Sequence, residues 1–233
     1  MNKLNPDQST RPGLGERAYR AIHADIVWCV LRPGEEVSET RLCESYGFGK
    51  APIRQALWRL VQEGYVISQP RRGHVISPVT LKMVRDLFEL RLVIEPAIIE
   101  GACGRVDRER LCALNARCTD GYVPGDRASE ARFVAANHAF HLEIARASGN
   151  ERMTRLFAEI LDEMTRMLHL AFVLRERPDE FRAEHDELIE ALARNDVKEA
   201  RGMTIKHINS VRALTMDGIM THTNLNLANI VPG

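Results

Sequence analysis

Residues 47–66 read GFGKAPIRQALWRLVQEGYV. Ile53, Ala56, Leu57, Leu60 and Val61 recur at helical steps and form one apolar stripe. The helix is expected to begin near Ala51-Pro52, because proline is tolerated in a first turn whose N–H has no helical partner. Gly64 marks its end. Lys50 and Arg54 stand one turn apart at its start. A cation there gains nothing from the helix dipole, which is positive at that end. A DNA phosphate or a guanine edge would explain both. Arg59 lies further along and reads as a surface charge.

The flanking segments decide what this helix belongs to. Upstream, residues 14–30 place Tyr19, Ile22, Ile26 and Cys29 at helical spacing, and Pro33-Gly34 stops that helix. Ser38 is an expected N-cap for a short helix, ETRLCESY at 39–46. Downstream, YVISQ (65–69) and GHVIS (73–77) flank Pro70-Arg71-Arg72 and read as a small hairpin. Three helices followed by a basic hairpin is the plan of a winged helix-turn-helix, whose third helix enters the major groove. Arg71 and Arg72 at the hairpin tip would reach an adjacent backbone or minor groove. The charge agrees: residues 1–78 hold 11 Lys+Arg against 8 Asp+Glu, while residues 79–233 hold 21 against 24. A basic segment joined to an acidic remainder suggests two domains, one meeting a polyanion. By itself that imbalance is equally a solvated surface.

After Ser77-Pro-Val-Thr80 the pattern is helix after helix: 81–102, 107–121, 126–147, 151–175, 178–194 and 196–217. Short breaks predict an antiparallel bundle. The expected organisation is a flexible tail (1–13), a winged helix-turn-helix (14–78), an all-α bundle (79–217) and a loose tail (218–233). The fold class is therefore mainly α.

The bundle's stripes carry polar groups at core positions. Arg91 stands between Leu87 and Ile94, Asn137 and His141 between Val134 and Ile144, His185 before Leu188, and His207 between Met203 and Val211. Buried polar groups need partners. A single such histidine is more often a hydrogen-bonded core imidazole than a ligand. Three on three helices, with Asn137 one turn before His141, suit a shared divalent cation. Zn is the expected metal, with Ni or Mn as alternatives. Arg91 keeps its charge and wants an anion: either a buried pair with Glu95 or another acid, or a small carboxylate gripped jointly with the metal.

These segments resemble a known family. GFGKAPIRQALWRLVQEGYV with RRGHVI is similar to the recognition helix and wing of GntR-family repressors, and LRPGEEVSETRLCESYG to the segment before it. The resemblance implies DNA contacts at Lys50, Arg54, Thr40, Ser38 and Gly73. Lys50 stands where the family usually has Arg, and Gly49 where it has Ser. Lysine is a point charge that cannot fork onto a guanine. DLFELRLVIEPAIIEGA, NHAFHLEIARASGN, EHDELIEALARNDVKEA and a late HI resemble the FCD effector domain of the FadR-type branch. That resemblance implies metal ligands at Asn137, His141, His185 and His207, and effector binding at Arg91. It also implies a homodimer on a pseudo-palindromic operator of double-stranded DNA, with a small carboxylate as effector. His138 is a local competitor of Asn137.

The totals exclude other classes. No apolar run is long enough to cross a membrane, and the polar N-terminus lacks a signal-peptide core. A cytoplasmic protein is expected. Cysteines 29, 43, 103, 112 and 118 form no C-x-x-C pair and read as reduced thiols. The expected function is a ligand-responsive transcription regulator, a repressor and not an enzyme. The competing readings are an architectural DNA-binding protein with a structural metal, and a metal-dependent hydrolase.

Overall fold

A computed structural model describes residues 12–70, 73–120, 122–123, 126–172 and 178–224. The chain divides into two compact units at Pro78/Val79. The N-terminal unit contains α1 (Leu14–Val27), β1 (Glu36–Val37), α2 (Glu39–Tyr46), α3 (Lys50–Gln62), β2 (Val66–Gln69) and β3 (Gly73–Ile76). It is a winged helix-turn-helix. Its core joins Ile22 and Ile26 of α1, Leu42 of α2, and Ile53, Leu57 and Leu60 of α3 to Val66 and Ile76 of the wing. Gly47 caps α2 in the left-handed region at φ 69°, which glycine adopts without a Cβ penalty.

Two details differ from the sequence reading. Helix α1 stops at Val27, not at residue 30, because Cys29 turns left-handed at φ 53°. The Leu31 N–H then bonds back to the Asp25 carbonyl at 3.0 Å, and Leu31 enters the core. The wing also has a third strand. Glu36 and Val37 pair antiparallel with Val75 and His74, so the order is β1-β3-β2. Two residues are too few to show a period-two pattern.

The C-terminal unit is an antiparallel all-α bundle of α4 (Leu81–Ala102), α5 (Arg108–Thr119), α6 (Arg127–Ala147), α7 (Glu151–Phe172), α8 (Pro178–Ala193) and α9 (Val197–Asn224). Side-chain oxygens start several of these helices. Thr80 accepts from Met83 N, Asp107 from Arg110 N, and Asn150 from Arg152 N and Met153 N. Helix α4 packs on α6, α7 and α9, while α8 packs on α5 and α9. No helix among the described residues is long and apolar enough to cross a membrane.

Helix α9 corrects the expected loose tail, because it runs on through Gly218 to Asn224. His207, Val211, Thr215 and Ile219 are all buried at successive i+4 steps, so the inward stripe continues beyond Leu214. Thr215 is polar and breaks the apolar pattern, which hides that continuation in the sequence. The remaining tail, 225–233, lies outside the described residues. Ile219→Ala should destabilise the bundle by about 2–5 kcal/mol, the usual range for truncating a buried isoleucine. Denaturant unfolding followed by circular dichroism checks this.

Candidate metal centre and nucleic-acid interface

The candidate nucleic-acid interface lies at the start of α3. Lys50 is the first helical residue, and the first turn carries no acid and no side-chain cap. Lys50 forms no ion pair among the described residues, and its side chain is exposed. Arg54 is exposed one turn later, but it is not bare. Its Nε–H is shared between Glu39 Oε1 at 2.9 Å and Oε2 at 2.8 Å. Among the described residues only Nε is engaged, so the two terminal amino groups keep their donors. Glu39 was not among the sequence candidates. The pair spans the helix-turn-helix turn, which no local pattern reports.

The other candidates fare differently. Thr40 is exposed in the first turn of α2. Ser38 caps that helix by accepting from Arg41 N at 3.2 Å, which leaves its hydroxyl proton free to donate. Gly73 opens β3 at φ 95°, and a Cβ there would lie 3.1 Å from the Val37 carbonyl oxygen. Its glycine is therefore required by the wing itself. Arg71 and Arg72 lie outside the described residues. Arg59 is tied to its own domain: its guanidinium sits 3.6 Å from the centre of the Tyr19 ring and pairs with Glu63 and Glu16.

In the C-terminal unit the structure brings His141 of α6, His185 of α8 and His207 of α9 together. One ring nitrogen from each lies within 4.8 Å of the others. Ring centroids are 5.0 to 5.5 Å apart. All three side chains are buried. Burial first, and the neighbouring rings second, hold His141 and His185 well below the ordinary histidine pKa. Neutral imidazole is the form that ligates a metal.

Two residues missed in the sequence orient these rings. Asn115 of α5 is fully buried, and its Nδ2 donates to the Arg182 carbonyl at 3.0 Å and to Asp186 Oδ1 at 2.8 Å. Its Oδ1 is therefore the atom facing His185 Nδ1 at 3.0 Å. An acceptor there places the proton on Nδ1 and leaves Nε2 as a lone pair. His185 Nε2 is buried with no hydrogen-bond partner among the described residues. Glu184 does the same for the third ring: its Oε2 meets His207 Nδ1 at 2.7 Å. That hydrogen bond holds the Glu184 carboxyl below its ordinary pKa. Ring orientation by a second acceptor is a regular feature of histidine metal sites. An orphaned Nε2 beside two further buried imidazoles fits a divalent cation.

Asn137 is half-buried and lines one cavity with Arg91, His141 and His207. His138 turns elsewhere, with its Nε2 3.2 Å from Asp162 Oδ1. Of the two readings of Arg91, the structure contains the buried pair. Arg91 Nε donates to Glu95 Oε1, Nη1 donates to Met164 Sδ at 3.5 Å, and the group lies 5.1 Å from the Phe88 ring centre. Arg91 nonetheless borders the cavity beside the histidines.

Known proteins match both units. Residues 14–76 match the bacterial regulatory proteins of the gntR family, and residues 86–210 match the FCD domain. The HTH-type transcriptional regulator YdhC of Bacillus subtilis (strain 168) is 24% identical over 196 residues, covering 82% of this chain and 86% of that protein. The HTH-type transcriptional repressor RspR of Escherichia coli (strain K12) is 20% identical over 209 residues, 90% of each chain. Two solved structures share the fold at 19% identity and a TM-score of 0.74. They are a GntR transcriptional regulator from Rhodococcus sp. RHA1, covering 87% of this chain and 97% of that one, and E. coli McbR/YncC, covering 89% and 99%.

Two outcomes follow from this geometry. Asn115→Leu should weaken zinc binding about 10- to 100-fold while the helical circular dichroism is kept. Competition with a chromophoric chelator reads the affinity. Without metal, unfolding returns His141 and His185 to the ordinary histidine pKa of about 6.5, so below that pH the unfolded chain takes up protons that the folded one refuses. Stability of the chelated protein should fall as pH drops from 7.5 to 5.5 and change little above. The fall should be smaller in His141→Gln, as measured by thermal midpoint.

Proposed function

This chain belongs to the gntR family of bacterial regulatory proteins and carries an FCD domain; we propose that it is a ligand-responsive repressor and not an enzyme. It is a DNA-binding transcription regulator. In our reading it acts in the cytoplasm as a homodimer. Each α3 docks in the major groove of one half of a pseudo-palindromic operator, with Lys50 and Arg54 leading and Thr40, Ser38, Gly73 and the wing arginines Arg71 and Arg72 alongside. The exposed Leu90 and Val93 of α4 supply an apolar strip for the partner protomer.

The observation that carries the ligand-responsive part is the buried histidine triad, two of whose members, His141 and His207, border a cavity with Arg91. His141, His185, His207 and Asn137 would hold a divalent metal, zinc in first place. When bound, the metal supplies a fixed positive charge able to take one oxygen of a small carboxylate. Around it, Asn115 and Glu184 hold two rings in the ligating tautomer, and Arg91 adds a second cation at the cavity wall. Helix α4 carries Arg91 and begins at Leu81, soon after β3 ends at Ile76. A ligand that shifts Arg91 acts on the element covalently joined to the wing, which is the coupling required between two sites. The closed Arg91–Glu95 pair favours a second reading, in which the metal is structural and no effector exists.

Fluorescent duplexes from the chain's own upstream region test the DNA part. Affinity should fall steeply between 50 and 200 mM salt, values chosen from the usual range for about 6–10 phosphate contacts. Arg54→Ala should cost about 1–3 kcal/mol on the specific site, with the bundle intact by circular dichroism. Glu39→Gln should strengthen binding to unrelated duplexes, because it removes the carboxylate that competes with phosphate for Arg54. Unchanged operator affinity in Arg54→Ala would place the recognition surface elsewhere. For the metal part, His185→Ala should lower zinc affinity without changing operator docking.

A further inference from the structure

Helix α3 contains Lys50, Arg54 and Arg59 and no acid. The first carboxylate after it, Glu63, is taken up by Tyr19 and Arg59. On its outer face stands Trp58, 68% exposed and the one aromatic among the exposed large apolar side chains of the described residues. Lys50, Arg54 and Trp58 follow one another at i+4 steps. Seen down the axis, Trp58 lies between Arg54 and Gln55, about 40° from the first and about 60° from the second.

The side chains on both flanks are held aside. Arg54 leans to α2, where Glu39 takes its Nε–H. Gln55 leans to α1, and its amide fills the space that a Cβ on Gly15 would need. Arg59 lies on the Tyr19 ring of α1. Trp58 is left between them with no hydrogen bond or ring contact among the described residues. A protein partner would need an apolar patch around the indole. Its neighbours on this face are instead Ala51, Arg54, Gln55 and Gln62, all exposed. Two features decide what this face fits: a positive stripe without a carboxylate, and an apolar ring that ends in an N–H donor. A nucleic-acid strand offers the match to both, in its phosphate oxygens and its sugars.

Distance then selects the part of the DNA. Trp58 is eight residues behind Lys50, about 12 Å along the axis. The major groove is about 8.5 Å deep. When the start of α3 is at the base edges, Trp58 is at the rim, where the backbone runs. We propose that Trp58 contacts that backbone: its ring lies on a deoxyribose, and its indole N–H donates to a phosphate oxygen. It is an uncharged positioning contact that fixes the helix in the groove without reading sequence. The proposal rests on the reading that α3 enters the major groove.

The test uses the full chain with two fluorescent duplexes, one from the chain's own upstream region and one of random sequence. Trp58→Ala removes no core atom and favours the helix, so the fold should be kept by circular dichroism. It should weaken binding to both duplexes about tenfold or more, the loss for a hydrogen bond to a charged group. Trp58→Phe should fall between the two proteins. The slope of affinity against salt should stay as in the native chain, because Trp58 releases no counterion, whereas Arg54→Ala should lower it by about 1. Trp28→Phe leaves Trp58 as the only indole. Its emission should be open to acrylamide in the free protein and protected by either duplex. Unchanged affinity in Trp58→Ala, with Arg54→Ala impaired, overturns the proposal and leaves the recognition helix standing. Unchanged affinity in both variants rejects the reading it rests on as well. A loss confined to one duplex makes Trp58 a base reader and overturns the backbone contact. Protection from acrylamide without DNA also overturns it, because protein would then cover the ring.

Discussion

The C-terminal bundle is arranged around three buried imidazoles. His141, His185 and His207 come from three different helices and meet inside the bundle. Burial keeps His141 and His185 neutral, and Asn115 and Glu184 decide which ring nitrogen carries the proton. One acceptor orients each of the His185 and His207 rings, and the lone pair that results at His185 Nε2 has no partner among the described residues. Such a group is costly in a folded core unless something else uses it. Two of these helices, α6 and α9, also pack on α4, which carries Arg91, and on α7.

The N-terminal unit shows a similar economy with opposite exposure. Its fully buried residues are aliphatic apart from Tyr65, with Tyr19, Tyr46 and Phe48 packed against them, so α3 is held by packing and its charges are left for the surface. Arg59 is absorbed by Tyr19, Glu16 and Glu63. Arg54 is held by Glu39 through a single nitrogen. Lys50 stands without an ion pair among the described residues. The three cations of one helix thus have three different degrees of freedom. A carboxylate one helix away from Arg54 is a built-in competitor for phosphate, which favours discrimination between sites over raw affinity.

Much of this architecture was legible from residue order. The helical stripes, the cap at Ser38, the glycine at 64 and the wing strands all follow from local rules about period, capping and φ. The same rules failed where a local signal was overridden. Cys29 continued the stripe of α1, yet the chain turned left-handed and put Leu31 in the core instead. Thr215 broke the apolar stripe of α9, yet the helix ran on because Ile219 had a core to enter. Strand β1 had too few residues to show any pattern, and exists because β3 offered it a paired edge.

The sequence by itself determined which residues face inward, since helical period is a property of the chain. It therefore marked Arg91, His141, His185 and His207 as core positions without a neighbour being known. Only the tertiary structure decided who met whom. Asn115 reaches His185 across 70 residues of chain, and Arg54 reaches Glu39 across a turn. Glu184 binds not its neighbour His185 but His207, on the next helix. The reason is physical: periodicity fixes the direction of a side chain relative to its own helix axis. Its partner depends on how two axes pack, and that is set by the whole core at once.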